Sequence, residues 1–466
     1  MWKLLPFNLF LTAFGLSLLS LQADSPSQEQ TAAQKLKAGD PLTTWLTQDY
    51  MLGDWGGQRP KLSQKGVDFE FLYFSAVPTN LGGGLNTGSV YEGALLATFD
   101  LDFEKLADFH GGRFHASGLW IHGQNFSRNF IGDNNVVSLI DLTESCRLWE
   151  LWYEQKIWQD KISIKFGQLS IDRDFVMPEL YSTMGSINFL NQTFFYPTMA
   201  FNVYDRPFFP VENHALASTP YATPGIRVRF DPIPEFYVQA AVYGGNPDRT
   251  YNGTRFNLSE DAGALSYFEM GYRHRMKPGD QGLPGSYKIG GYYHTDNYSA
   301  NEVLLSVFGL PNGGVTYDGN YGIYALGEQT LYREVGPEDP AQQGLIGFVR
   351  GCYAPPDRNL YEWSVDGGLV YRGAIPGRDF DTLGLAGSYM AVSDDIRRVQ
   401  GIINNFAPGS LPKGDYEAVI ELNYKAQLAA WMTLQTSVQR VFHPGGHLAE
   451  EIPDAWVLIV QTGLRF

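Results

Sequence analysis

From Gly66 to the C-terminal Phe466, apolar and polar residues alternate along most segments. That pattern restricts the chain to strands with one apolar and one polar face. Val67, Phe69, Phe71 and Tyr73 are separated by Asp68 and Glu70, and Ile162, Ile164 and Phe166 by Ser163 and Lys165. Ile226, Val228 and Phe230 alternate with Arg227 and Arg229, and Phe268, Met270 and Tyr272 with Glu269 and Gly271. Ala418, Ile420, Leu422 and Tyr424 alternate with Glu417, Glu421 and Asn423, with Val419 interrupting the polar side. Alternation by itself admits a soluble sandwich as well as a membrane barrel.

Three further features favour the barrel. Polar residues recur on one phase throughout the chain, leaving little bulk for the second layer of a large soluble protein. Aromatics gather near expected strand ends (Phe99 and Phe103; Trp149, Trp152 and Tyr153; Tyr292 and Tyr293), where interfacial girdles would sit. Short links such as Asp231–Pro234 contrast with long polar ones, Asn246–Asp261 and Tyr332–Gln343, as expected of a barrel with short turns on one side. The closing segment is the most informative. Trp456, Leu458, Val460, Thr462, Leu464 and Phe466 share one phase, and Val457, Ile459, Gln461, Gly463 and Arg465 the other. Hydrocarbon cannot satisfy unpaired edge N–H and C=O groups, so such a sheet has to close. The expected fold is therefore all-β, a transmembrane antiparallel barrel over 66–466. Sixteen strands at about 25 residues each, or eighteen at about 22, both suit an even-numbered barrel.

The N-terminus predicts export. Lys3 precedes a mostly apolar run from Leu4 to Leu21, and Ala23 is a small residue before the polar Asp24–Ser27 stretch. Residues 1–23 thus read as a cleaved signal peptide. Residues 24–65 form a separate periplasmic segment, with short helices expected within 28–46, where Gly39, Asp40 and Pro41 break the pattern. Gly56 and Gly57 after Trp55 predict a tight turn. A formal charge of −16, one unit more negative once Lys3 is removed, excludes a nucleic-acid partner. The two cysteines, Cys146 and Cys352, are too few for a disulfide framework. One bridge between them and two free thiols are both open readings in an oxidising compartment.

The chain also resembles the carbohydrate-selective porin family typified by OprB, over roughly residues 45–466. The resemblance is carried by LGDWGGQRPKLSQKGVDFEF at 52–71, RLWELWYEQ at 147–155, IKFGQLSIDRDF at 164–175, FFYPTMAF at 194–201, VYGGNP at 242–247, VQRVFHPGG at 438–446 and the last strand. It implies sixteen strands, residence in the cell outer membrane, and passive, selective diffusion of glucose and other small carbohydrates. The terminal Phe466 resembles the signal that such proteins present to the barrel assembly machinery. Outer-membrane lipids would then be partners, with monomer and homotrimer both open.

Strand phase nominates the lumen residues. Glu150, Trp152 and Glu154 would face inward while Trp149, Leu151 and Tyr153 face lipid, unless a bulge before residue 150 reverses the phase. An aromatic ring beside polar groups suits a sugar, with its apolar C–H face and its hydroxyls. A girdle role for Trp152 is the alternative. Arg227 and Arg229 share the inward phase, and Arg173 falls at a strand end or in an inward loop. Each either donates to solute or braces lumenal carboxylates. No HExxH, P-loop or GxSxG pattern occurs, so neither an enzyme nor a cofactor is expected. His443 and His447 read as loop residues, with no metal site. Two other readings stand beside the selective porin: a secreted, soluble β-rich carbohydrate-binding protein or glycoside hydrolase, and a general diffusion porin without sugar selectivity.

Overall fold

A computed structural model describes residues 40–123, 125–182, 187–201, 216, 218–259, 263–277, 280–311, 313–334 and 342–466. The signal-peptide stretch 1–23 and residues 28–39 of the stretch expected to be helical lie outside them. The chain divides into two units, Met1–Thr44 and Trp45–Phe466. A helix spans Pro41–Thr47, so the breaker Pro41 stands at the first helical position, where its missing N–H is no loss. The expected turn follows: Trp55, Gly56 and Gly57 all have positive φ, and a second helix spans Gln58–Gln64.

Sixteen long strands then run antiparallel: β1 (Val67–Gly82), β2 (Glu92–Asp102), β3 (Gly112–Gly123), β4 (Ser145–Ile157), β5 (Ile162–Leu169), β6 (Thr223–Ile233), β7 (Phe236–Gly244), β8 (Ala264–His274), β9 (Gly285–Ser299), β10 (Thr316–Arg333), β11 (Gly344–Tyr353), β12 (Tyr361–Arg372), β13 (Thr382–Val392), β14 (Tyr416–Ala429), β15 (Met432–Phe442) and β16 (Ala455–Arg465). A two-residue strand, Gly88–Ser89, decorates the link after β1. Each long strand pairs with its sequence neighbour, and β16 returns to pair with β1 from Leu72↔Arg465 to Asn80↔Val457. The sheet is closed. Phe466 N donates to the Phe71 carbonyl beyond the last register pair (2.9 Å).

The two barrel ends differ in their links. One end carries the turns 158–161, 234–235 and 430–431; the other carries 124–144, 170–222, 245–263 and 393–415. The expected asymmetry is present, but Tyr332–Gln343 does not belong to its long side. Tyr332 and Arg333 continue β10, and the rest of that link falls at the short-turn end. Strand phase holds on the outside: Phe166, Ile226, Val228, Phe268, Ile420, Leu422, Trp456 and Val460 are exposed, forming the apolar band a membrane requires. Among the described residues no helix is long and apolar enough to cross a membrane. Several aromatics expected in girdles point inward instead. Trp149 and Tyr292 are buried, whereas Tyr293 is exposed.

The core lies inside the barrel. The described parts of the links after β3 and β5 (125–144, 170–182, 187–201 and 216) fold into the lumen, where Phe175, Val176 and Leu216 pack with the wall residues Tyr243, Tyr267, Tyr292 and Tyr324. Several inward tyrosines sit opposite glycines on the next strand, as in Tyr237↔Gly271 and Tyr292↔Gly322. A Cβ at Gly271 would lie 2.3 Å from the Tyr237 ring. Glycine there lets the ring lie flat over the neighbouring backbone.

The inward links need partners for their backbone N–H groups, and wall carboxylates supply them. Glu328 on β10 accepts from Glu179, Leu180 and Tyr181 (2.8–3.1 Å). Glu421 on β14 accepts from Leu190 and Asn191 (2.8 and 2.9 Å). Glu417 accepts from Asn134, Asn135 and Gly445, and Glu269 from Val176 as well as from the Tyr237 and Tyr324 hydroxyls. These carboxylates fasten the plug to the wall.

Candidate functional site

Site geometry begins with an irregularity in β4. Ala116 pairs with Leu151 but Gly118 pairs with Leu148, so Trp149 and Glu150 together face Ser117. This is a β-bulge, two residues opposite one, held in part by Glu150 N donating to Ser117 Oγ (3.2 Å). Its consequence is that both bulged side chains enter the lumen. Trp149 and Glu150 are each 1% exposed. Glu150, Trp152 and Glu154 thus keep the inward phase expected of them, while Trp149, expected at the lipid face, is turned inside.

Around these residues is a dense ionic bracket. Arg227 on β6 donates to Glu154 Oε1 (2.9 Å) and Ser163 Oγ (2.7 Å), and lies 3.5 Å from Asp174 Oδ1. Lys165 Nζ sits 2.6 Å from Asp174 Oδ2. Burial works against ionisation of Asp174, but the charges of Lys165 and Arg227 outweigh it and hold that carboxyl below its ordinary range. The Trp152 ring stacks on His115 (4.8 Å between centroids), with Lys165 Nζ 4.8 Å from its centre. Trp152 is part of the bracket. Arg229 also points inward, but away from this cluster: it binds Asp231 (2.8 Å) and lies over Tyr237.

Arg173 is more exposed than Arg227, at 22% against 6% of the side chain. It begins the inward link, in a short turn Ile171–Arg173. Its Nε is 3.4 Å from Glu150 Oε2 and its guanidinium lies 5.2 Å from the Trp149 ring, while Nη1 has no hydrogen-bond partner. The Trp149 indole N–H is likewise buried without a partner.

Two adjoining cavities meet here. A narrow one of about 60 Å³ is lined by Phe74, Leu96, Trp149, Ile140, Tyr196 and Gln461 among others, and is mostly apolar. A wider one of about 360 Å³ shares Phe74 and Leu96 and adds Arg173, Glu70, Thr98, Gln427 and Arg465. A third, of about 350 Å³, is lined by Asp68, Asp100, Asp102, Arg113, Glu154 and Lys156. The narrow cavity is thus largely apolar, and Arg173 lines the wider one beside it. Trp149, Tyr196 and Gln461 were not nominated from the sequence. Gln461 was legible from the phase of the last strand, but Trp149 was hidden by the bulge.

The cysteines are not bridged. Cys146 and Cys352 are free thiols, the first exposed and the second buried. Cys146 pairs across the sheet with the outward Trp120, and Cys352 with the inward Tyr324. Their side chains occupy opposite faces of the wall, so a disulfide would require reversing one strand's phase.

The family model described as "Carbohydrate-selective porin, OprB family" matches residues 86–466. Porin B of Pseudomonas aeruginosa is 27% identical over 459 residues, covering 93% of this chain and 94% of that one. The high-pH structure of Pseudomonas putida OprB has a TM-score of 0.76 at 24% identity, covering 90% of this chain and 99% of that one. The low-pH structure of the same protein has a TM-score of 0.54 at 19% identity over the same shares.

Proposed function

Because the chain belongs to the OprB family of carbohydrate-selective porins, we propose that sugars cross on the open side of the lumen and pause between Arg173 and Trp149. The protein is an outer-membrane sugar porin, a channel rather than an enzyme. One observation carries the assignment of residues: Arg173 Nη1 and the Trp149 indole N–H are buried donors without partners, beside two adjoining cavities. A buried orphan donor is destabilising by about 1–3 kcal/mol, and an arriving hydroxyl relieves it. Apolar Phe74 and Leu96 offer surface to the C–H face of the sugar. Hydroxyls exchange water for these donors one at a time, keeping binding weak enough for release.

Sugar block of ion current in a planar bilayer tests this reading. Arg173→Ala should raise the half-blocking sugar concentration about tenfold, equivalent to about 1.4 kcal/mol. If sugars never perturb the wild-type current and flux merely scales with solute size, a general diffusion porin is the correct reading.

Processing and assembly complete the proposal. Residues 1–23 are removed on export, and 24–65 lie on the periplasmic side. Met51 N donates to the Arg465 carbonyl (2.8 Å) and Arg59 Nη2 to the Phe466 carbonyl (3.0 Å), which fastens the second half of that segment to the end of β16. Phe466 presents the closing strand to the barrel assembly machinery, and the outer band meets membrane lipid. Phe466→Asp should leave little heat-modifiable barrel in outer-membrane fractions; normal levels would refute the assembly role.

A further inference from the structure

At the long-link end of the β14–β15 pair, three metal-ligating side chains converge. Asp415 immediately precedes β14 and His443 immediately follows β15, and the two strands are joined at their other end by the two-residue turn 430–431. His447 returns to the same place through Gly445 and Gly446, whose positive φ values (69° and 64°) fold the segment tightly. One ligand atom from each of Asp415, His443 and His447 lies within 4.8 Å of the others. We infer that these three residues form a divalent transition-metal site, of the kind that takes zinc, clasping the outer ends of β14 and β15.

The chemistry of the donors supports this assignment. Two imidazoles and a carboxylate are a zinc-type set that leaves a fourth position for water. Calcium and magnesium prefer all-oxygen sites. The Ile452 carbonyl lies 3.3 Å from His447 Nε2. A carbonyl can only accept, so it takes the Nε2 proton and leaves Nδ1 with its lone pair, an orienting contact typical of metal-ligating histidines. His443 Nδ1 lies 2.9 Å from Asp415 Oδ1, and the hydrogen shared there is the one a metal ion would displace to solvent. The His443 ring is held between Tyr416 and His447, with centroids 4.3 Å from each. Asp415 and His443 remain part-exposed, so an ion can enter from outside.

The clasp also bears on the plug. Gly445 N donates to Glu417 Oε2, and the same carboxylate holds the Asn134 and Asn135 amides of the inward link. A bound ion would therefore steady the segment that shares a fastening point with the lumen.

Zinc chloride titrated into the purified full-length porin, in competition with a chromophoric chelator, decides the matter. Wild type should bind one zinc per chain, and both His447→Gln and Asp415→Asn should weaken it about tenfold or more. His110→Ala is the control, because His110 contacts Glu104 and Asp160 at another rim and its loss should change nothing. X-ray absorption of the zinc-loaded wild type should show imidazole ligation, whether or not any variant folds. Absence of zinc binding in wild type, binding unaffected in both variants, binding lost in His110→Ala, or a spectrum without imidazole would each overturn the site.

Discussion

The two sides of the lumen solve different problems with similar residues. Along the wall from Glu269 to Glu421, buried carboxylates accept backbone N–H groups from the inward links and have little left to offer a solute. Around Phe74, Leu96 and Trp149, the wall is largely apolar, the cavities are open, and two donors lack partners. Arginine shows the same division. Arg227 is buried among Glu154, Ser163 and Asp174, whereas the more exposed Arg173 lines a cavity. An inward-facing charge is thus not evidence of solute contact. The strongly acidic composition belongs partly to the fastenings, so net charge is a poor guide to what the open side prefers.

The largest effect should come from breaking the plugged side. Glu328→Ala removes the acceptor of three link amides, each worth about 1–3 kcal/mol if left buried and unpaired. The link should release, raising single-channel conductance severalfold and exposing residues 179–181 to protease. Glu328→Gln keeps an acceptor oxygen and should behave nearly as wild type. Unchanged conductance and protease resistance in the alanine variant would show that the plug is held by packing instead.

Arg227→Ala comes next. It removes the arginine shared by the buried Glu154 and Asp174, and breaking such a bracket is destabilising by about 3 kcal/mol. Denaturant unfolding in detergent should show that loss, with sugar block altered less than by Arg173→Ala. The opposite result, lost block at unchanged stability, would make Arg227 a sugar ligand and erase the contrast between the two arginines.

Smaller changes refine the open side. Trp149→Phe keeps the ring but removes its N–H, and should weaken sugar block about threefold, in line with one modest hydrogen bond. No change would show that the indole serves only as apolar surface. Arg229→Ala should be the mildest, below about 1 kcal/mol because its partner Asp231 is part-exposed at the rim, with block unaltered. A block as weak as that of Arg173→Ala would extend the solute path to that rim.

Much of this molecule was legible in residue order, because side-chain direction in a strand is a local property with period two. Alternation alone assigned Glu150, Trp152, Glu154, Arg227 and Arg229 to the lumen, and the phase of Trp456–Phe466 identified the strand that closes the barrel. The turn at Gly56–Gly57 followed from glycine's access to positive φ. What alternation cannot carry is an interruption of itself or a meeting between distant segments. One extra residue at Trp149–Glu150 moved a tryptophan from the lipid face to the lumen side. The same cross-strand pairing that built the wall put Cys146 and Cys352 on opposite faces, and brought Asp415 to His443 and His447. Which arginine is buried among carboxylates and which lines a cavity was decided by where the segment directly after β5 turns inward, since that depends on contacts between residues far apart in the chain.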